Sequence, residues 1–340
     1  MLQALPAHGV EPIVARAKGE VETEGMVRYE RVSARGDSLE PADFRWSRKA
    51  LRELVRDLRP DLLHLIGDPW TPTAEAGASA ARDLKIPYVV VGTSSLGGAR
   101  GFTARWQANR VRDGAAGLAG TTKPALDLLS ADAQPGARAV LPQPGFDIPA
   151  SIPVRPSNPS LLFAVVGRVV PERGLDLLID ALADVYGDWR LQIVGSGPSQ
   201  ETLEAQAQRL GLSARIEWLG GIPRHELQGL WLEADALIAP SRSTATWVEP
   251  SGSLMLEAMA WGVAPIVSRS GALPDVVGDA GMVIDEGDRD ALSRALIRLV
   301  EEPARARVLG ARARERVLEH YGDGPIAERT VRFWRESLKS

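Results

Sequence analysis

The sequence predicts an α/β protein with two lobes of parallel β-sheet. Short apolar strand patterns alternate with helical patterns along the chain, as in βαβ units. The chain has 340 residues, more than a single hydrophobic core usually supports, so two domains are expected. Prolines at positions 142, 144, 149, 153, 156 and 159 mark a linker between the halves. We therefore expect an N-terminal lobe over residues 1–150 and a C-terminal lobe over residues 151–325.

The elements of the first lobe follow from the spacing of apolar residues. The predicted order is strands 13–15 and 26–32, helix 46–58, strand 62–66, helix 73–84, strand 88–91, helix 103–112, strand 117–120, helix 123–129 and strand 139–142. A last predicted helix, residues 326–338, carries the aromatic pair Phe333 and Trp334.

Two arginines follow the first predicted strand of the second lobe. Residues 161–166 are apolar, Gly167 and Arg168 come next, and Arg173 precedes a helical pattern. This order predicts a buried strand that brings Arg168 to the carboxyl edge of the sheet, where it is the better preorganised cation. Two guanidinium groups suit the charges of a pyrophosphate. The alternative is a surface salt-bridge pair at a strand–helix junction.

Two glutamates eight positions apart form the most informative motif. Glu249 lies in a Pro/Gly/Ser segment, and Glu257 lies near the beginning of a predicted buried helix. A loop carboxylate beside a helix N-terminus can hold a sugar hydroxyl while free backbone N–H groups face a phosphate. An acidic residue that merely lies near the positive end of a helix is the common alternative. Together with Arg168 and Arg173, the motif favours a nucleotide-sugar site.

These segments resemble the retaining nucleotide-sugar glycosyltransferases of family 4. The resemblance implies the GT-B fold, in which two Rossmann-like, doubly wound parallel-sheet lobes face a central cleft. It also implies that helix 326–338 packs back on the first lobe. The sequence departs from the family at Pro250 and Ser251, where a bulky residue usually precedes glycine. The matching segments, in the order of the family, are residues 167–174, 191–198, 216–220, 234–241, 249–257 and 268–277.

The resemblance implies a role for each matching residue. The two arginines would hold the donor diphosphate, one glutamate would contact the transferred sugar, and the other would accept hydrogen bonds from the ribose. The nucleobase would lie against the loop at residues 220–223. The implied catalytic residues are Glu249, Arg168 and Arg173. The implied donor-binding residues are Gly167, Arg168, Arg173, Gly220, Gly221, Ile222, Glu249, Ser251, Gly252, Ser253 and Glu257.

The expected function is therefore the transfer of a hexose from a UDP- or GDP-sugar to a hydroxyl acceptor, with retention. The acceptor is expected to be a glycan or a lipid-linked molecule. No metal and no cofactor are expected, because two arginines and a helix N-terminus can neutralise the leaving diphosphate. Two alternatives remain open. One is a non-catalytic GT-B-like protein that binds nucleotide-sugar. The other is a nicotinamide-dependent Rossmann enzyme, although Gly195-Ser-Gly197 lacks the third glycine of that fingerprint.

The composition excludes several other classes of protein. A net charge of −4 argues against nucleic acid as a partner. The chain has no cysteine, which excludes disulfides and thiolate metal sites. No signal peptide and no apolar run of about 18 residues is visible, so a cytoplasmic protein is expected, with a candidate peripheral contact at the inner face of the membrane.

The signals in the first lobe are weaker. Asp68 follows one predicted strand, and Thr93 and Ser94 follow the next, so these three are weak candidates for the acceptor side. His64 is interpreted as a core or rim residue. Segment 100–112 contains four arginines and two aromatic residues. It could meet a lipid phosphate or a membrane surface, or it could be an ordinary solvated helix.

The chain begins with a segment that matches the first helix of the family. The strand and Gly-rich loop that precede this helix in the family are missing, and that strand is usually central in its sheet. We therefore expect a first lobe without its first strand. A start assigned too far downstream is the favoured explanation, and an upstream extension of roughly 20–30 residues is expected to supply the strand.

Overall fold

A computed structural model describes residues 1–18, 20–36, 44–97, 101–131, 133, 136–143, 146–153 and 160–339. The chain divides into two compact units. Unit 1 comprises Met1–Gln143 and Gly322–Ser340, and unit 2 comprises Pro144–Tyr321. Several residues of the predicted linker, namely 144, 145 and 154–159, lie outside the described residues, as does Arg100 of segment 100–112.

Unit 1 begins with a short 3₁₀ helix, Leu2–His8, which ends at Gly9 in the left-handed conformation. Its strands are β1 (Ile13–Arg16), β2 (Glu22–Glu24), β3 (Val27–Arg31), β4 (Ala34–Arg35), β5 (Arg45–Trp46), β6 (Leu63–Ile66), β7 (Tyr88–Gly92), β8 (Gly117–Gly120) and β9 (Ala137–Val140). Its helices are α1 (Arg48–Leu58), α2 (Pro72–Leu84), α3 (Phe102–Asp113), α4 (Lys123–Ser130) and, from the end of the chain, α12 (Asp323–Ser337).

Most of these elements lie where the sequence predicts them, but the predicted start of the first helix is wrong. Trp46 pairs with Ala34 in a strand. The helix begins only at Arg48, because Ser47 is its N-cap and accepts a hydrogen bond from the Ala50 N–H. The short strands β2, β4 and β5 were not predicted, since two or three residues show no hydrophobic period.

The strands of unit 1 lie in separate sheets. Strands β6, β7, β8 and β9 form a parallel sheet in that order. Strands β1, β3 and β2 form a second sheet, in which β1 and β3 are parallel. Strands β4 and β5 form an antiparallel pair. Strands β6 and β1 therefore lie at sheet edges.

Helix α12 covers one face of the four-stranded sheet. Phe333 packs into a buried cluster with Val89, Val91, Ala119 and Leu141. The Trp334 indole N–H donates to His64 Nδ1 on β6, over 2.8 Å. The neighbouring turns of α12 also pack against the 3₁₀ helix at the start of the chain. Unit 1 is thus completed by a helix that follows the whole of unit 2 in the sequence.

Unit 2 contains one continuous sheet with helices on both faces. Its strands are β10 (Leu161–Val166), β11 (Trp189–Val194), β12 (Ile216–Gly220), β13 (Ala236–Ala239), β14 (Ala264–Ser268) and β15 (Met282–Ile284). Its helices are α5 (Leu175–Leu182), α6 (Gln200–Arg209), α7 (Leu227–Glu233), α8 (Ser253–Ala260), α9 (Leu273–Val277), α10 (Arg289–Glu301) and α11 (Pro303–Tyr321).

The order of this sheet is β12-β11-β10-β13-β14-β15, and the paired strands are parallel. Side chains of β10 alternate between two cores: Phe163 packs with the cluster of α5 and α10, and Ala164 packs with the cluster of α7 and α8. The strand order reverses between β10 and β13. In doubly wound sheets the crevice at the carboxyl ends of such strands is where ligands bind.

Candidate functional site

The turn after β10 and the loop after β13 touch at the carboxyl edge of the unit 2 sheet. Gly174 ends the first of them with φ +67°, and a Cβ at this position would lie 2.0 Å from the Pro240 carbonyl oxygen. Any larger residue would separate the two segments. This close approach brings Arg173 beside the loop that carries Glu249.

Arg173 and Glu249 form a buried ion pair. The Arg173 NH1 group donates to Glu249 Oε2 over 2.5 Å, and the Glu249 residue is only 6% exposed. The Ser241 hydroxyl donates to the same oxygen over 3.4 Å. Burial raises the pKa of Glu249, while Arg173, Ser241 and the Gly252 N–H oppose that rise.

The guanidinium of Arg173 is held on two further sides. It lies 5.3 Å from the centroid of the Trp247 ring. On another side it lies over Gly167, where a Cβ would be 3.4 Å from the guanidinium carbon. Arg168 differs: it is exposed, and its side chain has no ion pair within the described part of the chain. The expectation that Arg168 is the better preorganised cation is therefore wrong, because ending a strand fixes only its backbone.

The backbone of Glu249 is fixed by the loop after β14. Its carbonyl accepts a hydrogen bond from the Ala272 N–H over 3.1 Å. Gly271 has φ +51°, and a Cβ there would lie 2.1 Å from the Glu249 carbonyl oxygen. The position of Glu249 therefore depends on a glycine in a neighbouring loop.

Helix α8 begins directly after this glutamate. Gly252 is the N-cap with φ +62°, and the Ser251 hydroxyl accepts a hydrogen bond from the Ser253 N–H over 3.3 Å. The first N–H groups of a helix have no partner within it, and they favour anions. The carboxylate of Glu249, the cation of Arg173 and the positive end of α8 thus meet in one place.

Glu257 lies about one turn after the first residue of α8. Like Glu249, it is 6% exposed. Trp231 on α7 donates its indole N–H to Oε1 over 3.2 Å. Arg224 contacts Oε2 through Nε and NH2, each at 2.9 Å. Arg224 follows the predicted nucleobase loop, where Gly220 has φ +65° and neither Gly220 nor Gly221 has an atom within 4 Å of an added Cβ. Ile222 packs against the α7–α8 core.

No sequence pattern singles out Arg224 or Trp231 as functional residues. An arginine in a polar turn resembles a solvated residue, and a tryptophan at an apolar position of a helix resembles a core residue. Only their contact with Glu257 distinguishes them. A buried carboxylate needs hydrogen-bond donors. A glutamate predicted inside an apolar helix therefore implies that donors from other segments reach it, although it does not say which ones.

A second set of contacts anchors the loop after β13. Arg242 pairs with Asp176 over 2.6 Å. The Ser243 N–H and hydroxyl donate to Glu286 over 2.9 and 2.5 Å, and the hydroxyl lies 3.0 Å from that of Ser270. These contacts tie the loop to the segments that follow β10, β14 and β15.

The glycines of the Gly195-Ser-Gly197 turn have a packing role. A Cβ at Gly195 would lie 1.9 Å from the Gly167 carbonyl oxygen, and one at Gly197 would lie 2.2 Å from that of Val169. The turn therefore needs glycine in order to lie against the turn after β10, whatever ligand binds nearby.

In unit 1 the three weak acceptor-side candidates form one cluster. Asp68 is 7% exposed and accepts hydrogen bonds from the N–H of Thr93 (2.9 Å) and of Ser94 (3.1 Å). Both hydroxyls also donate to it, over 3.2 and 2.5 Å. The cluster lies at the carboxyl ends of β6 and β7. Within the described residues, no group of three or more acidic or histidine side chains is placed to hold a metal ion.

In the comparison with known protein families, the matching residues lie within unit 2. Residues 151–316 match the family model of glycosyl transferases group 1. Over 163 residues the chain is 37% identical to the GDP-mannose-dependent alpha-(1-6)-phosphatidylinositol monomannoside mannosyltransferase of Mycolicibacterium smegmatis. That alignment covers 46% of this chain and 43% of the relative, so the match spans less than half of the relative's length.

Solved structures match over a larger part of the chain. A glycosyltransferase from Rickettsia africae aligns with a TM-score of 0.72 and 13% identity, over 100% of this chain and 93% of that one. HepE of Anabaena, solved in complex with UDP, aligns with a TM-score of 0.69 and 19% identity, over 90% and 86% of the two chains. At this level of identity the likeness concerns the fold.

Proposed function

We propose that the protein transfers a hexose from a nucleotide diphosphate sugar to a hydroxyl acceptor. The chain has the GT-B fold, and residues 151–316 match the family model of glycosyl transferases group 1. The reaction retains the anomeric configuration. The bond from the anomeric carbon to the diphosphate oxygen breaks, and a bond to the acceptor oxygen forms on the same face. The acceptor proton leaves with the diphosphate.

The Arg173–Glu249 pair at the N-terminus of α8 is the observation that carries this proposal. A guanidinium has five N–H donors, so Arg173 can hold Glu249 with NH1 and a donor phosphate with its remaining groups. Negative charge grows on the leaving diphosphate during transfer, and a fixed cation beside a helix N-terminus stabilises it. Glu249 retains free lone pairs for a sugar hydroxyl.

Arg168 and Glu257 complete the proposed donor site. Arg168 is exposed at the end of β10, where it can meet the second phosphate without first leaving another partner. Glu257 accepts hydrogen bonds from the ribose hydroxyls. The nucleobase lies against the loop at Gly220, Gly221 and Ile222, where a Cβ added at either glycine would meet no atom within 4 Å.

Donor binding is tested by thermal shift with GDP-mannose, UDP-glucose and ADP-glucose, since a ligand that binds the folded state raises the melting temperature. GDP-mannose is the first choice, because the mycobacterial relative is named as GDP-mannose-dependent. Product release is followed by chromatography of the freed nucleotide. A donor that binds and is never consumed with any glycolipid or glycan acceptor would indicate the non-catalytic alternative.

We propose that no metal takes part in the transfer, since arginines and a helix N-terminus can supply the positive charge. The test compares donor consumption with excess EDTA and with added Mg²⁺ or Mn²⁺. Equal rates are expected. A rate that EDTA abolishes and Mn²⁺ restores would contradict this part of the proposal.

The acceptor is proposed to be a glycan or a lipid-linked molecule, with the Asp68, Thr93 and Ser94 cluster on the acceptor side. A peripheral contact between segment 100–112 and the inner face of the membrane accompanies this proposal. On α3, Phe102 and Trp106 lie one turn apart and are 85% and 57% exposed. Arg110 follows one turn later and lies 5.4 Å over the Trp106 ring.

Such a stripe suits an anionic membrane surface, where aromatic rings enter the interface and arginines meet phosphates. No helix among the described residues is long and apolar enough to cross a bilayer. The test is co-sedimentation with phosphatidylcholine vesicles and with vesicles that also contain phosphatidylglycerol. Binding is expected only to the second kind, and the double variant Phe102→Ser, Trp106→Ser is expected to lose it. Tyr186→Ser, which alters an 87% exposed residue of unit 2, is the control.

A further inference from the structure

Glu257 is a buried carboxylate that depends on a residue outside its own helix for its charge balance. Its two oxygens have different partners: the neutral indole of Trp231 on Oε1, and the cation of Arg224 on Oε2. Within the described residues, Arg224 is the charged group that reaches this carboxylate. Removing one partner of a buried ion pair leaves the other charge without compensation, which is costly.

The two partners also differ in burial. Trp231 is fully buried on α7, whereas the side chain of Arg224 is 48% exposed on the turn that leads into that helix. The segment before it contains Gly220 and Gly221, where an added Cβ would meet no atom within 4 Å. Oε1 is therefore held by a buried donor, and Oε2 is held by a side chain that a ligand can reach from solvent.

We propose that Arg224 is the positioning residue of the ribose subsite: it holds the Glu257 carboxylate in place, and it shares Oε2 with a ribose hydroxyl of the donor. This inference rests on the proposed function, in which Glu257 binds the ribose. A cis-diol donates two hydrogen bonds, and the carboxylate has about four acceptor sites. Trp231 and Arg224 leave room for one hydroxyl on Oε1. The second hydroxyl displaces one of the two Arg224 N–H groups from Oε2, while the other stays.

The test is nucleotide binding, measured by calorimetry with GDP and with UDP at pH 7. Arg224→Gln is expected to weaken binding of the preferred nucleotide at least about tenfold, because an acceptor loses its charge-assisted partner.

Three further variants separate positioning from general damage to the fold. Arg224→Lys keeps the charge and is expected to restore most of the affinity that Arg224→Gln loses. Trp231→Phe removes the indole donor but keeps the Arg224 contact, and it is expected to weaken binding less than Arg224→Gln does. Arg209→Gln changes an exposed arginine on α6 and is expected to have no effect. Melting temperatures show which variants are folded.

The outcomes distinguish this inference from the proposed function. A wild-type protein that binds neither GDP nor UDP would overturn both. Wild-type binding that Arg224→Gln leaves unchanged in strength would overturn the role of Arg224 alone. Tighter binding by Arg224→Gln would show that the arginine only competes with the ribose, which also contradicts the positioning role.

Discussion

The two units complete their parallel sheets in different ways. In unit 2 the strands form one sheet, and an apolar cluster covers each face. In unit 1 the strands are distributed over separate sheets, and β6 lies at an edge where Ile66 is 53% exposed. An edge strand presents unpaired backbone groups. The comparison shows that the candidate donor site rests on the continuous sheet, while unit 1 depends on α12 for part of its core.

The largest expected effect concerns the cations that the unit 2 sheet positions. Arg173→Ala is expected to lower kcat for donor consumption about 10²–10³-fold, because a fixed cation for the leaving group is lost and buried Glu249 loses its partner. Arg168→Ala is expected to lower it less, since that side chain is exposed and unpaired within the described part of the chain. Arg209→Ala is the control. A larger loss from Arg168→Ala would show that the rigid pair is not the main electrostatic element.

The loops at the edge of the unit 2 sheet touch at glycines, and a side-chain carbon added at such a glycine should destabilise the unit. Gly271→Ala is expected to destabilise unit 2 by roughly 2–4 kcal/mol, because the methyl group meets the Glu249 backbone at a positive φ. Gly211→Ala has the same kind of backbone conformation, with φ +72° and no atom within 4 Å of the added carbon. It is expected to cost about 1 kcal/mol. Urea unfolding compares the two, and equal losses would contradict the contact argument.

The two units are expected to respond to acid in opposite directions. Burial lowers the pKa of His64 in unit 1 from 6.5 to about 4. The unfolded chain therefore takes up a proton that the folded one does not, and stability is lost as the pH falls from 6.5 to 4, by about 3 kcal/mol. Burial raises the pKa of Glu249 in unit 2, so its contribution is present at low pH and is lost as the pH rises through the raised value.

Hydrogen exchange measures the two units separately, with β7 and β10 amides as reporters after correction for intrinsic rates. From pH 7 to pH 5, protection is expected to fall in β7. His64→Gln, which still accepts from Trp334 and does not titrate, is expected to remove that loss. Equal loss of protection in β7 and β10 would contradict the assignment to His64.

The smallest effect is expected at the sheet edge. Ile66→Thr is expected to change the free energy of unfolding by less than about 0.5 kcal/mol, because Ile66 is half exposed. It should nevertheless reduce self-association at high concentration, because an apolar edge strand pairs readily with another chain. Sedimentation velocity checks this, with Tyr186→Ser as the control for exposed apolar area. Unchanged association would show that the edge at β6 is covered.

Much of unit 2 follows from its sequence because its first two strands, β10 and β11, end directly before Gly167 and Gly195. The run at residues 161–166, the E-x7-E spacing and the helix after Gly252 all lie where the pattern predicts. The roles of Arg168, Arg173, Glu249 and Glu257 stay predictions until variants are measured. Their geometry could not be read from spacing, because side-chain partners such as Ser241 come from distant segments.

Unit 1 was harder to predict for a physical reason. Its strands are found by period, but the sheet in which a strand lies depends on long-range pairing, which short apolar runs do not specify. Trp334 illustrates the same limit: its contact with His64 spans 270 positions. Arg224 shows the limit for function, since no local pattern links a turn to a carboxylate on another helix.

Helix α12 has a consequence for how the chain is made. Unit 2 lies between the two parts of unit 1 in the sequence and is complete at Tyr321. During synthesis, Val89, Val91 and Ala119 leave the ribosome long before Phe333, which later covers them. Unit 2 is therefore the first unit that can fold completely, and the nascent chain keeps an uncovered apolar sheet face until α12 has been synthesised. A chaperone that binds apolar strands would find its target in the early part of this chain.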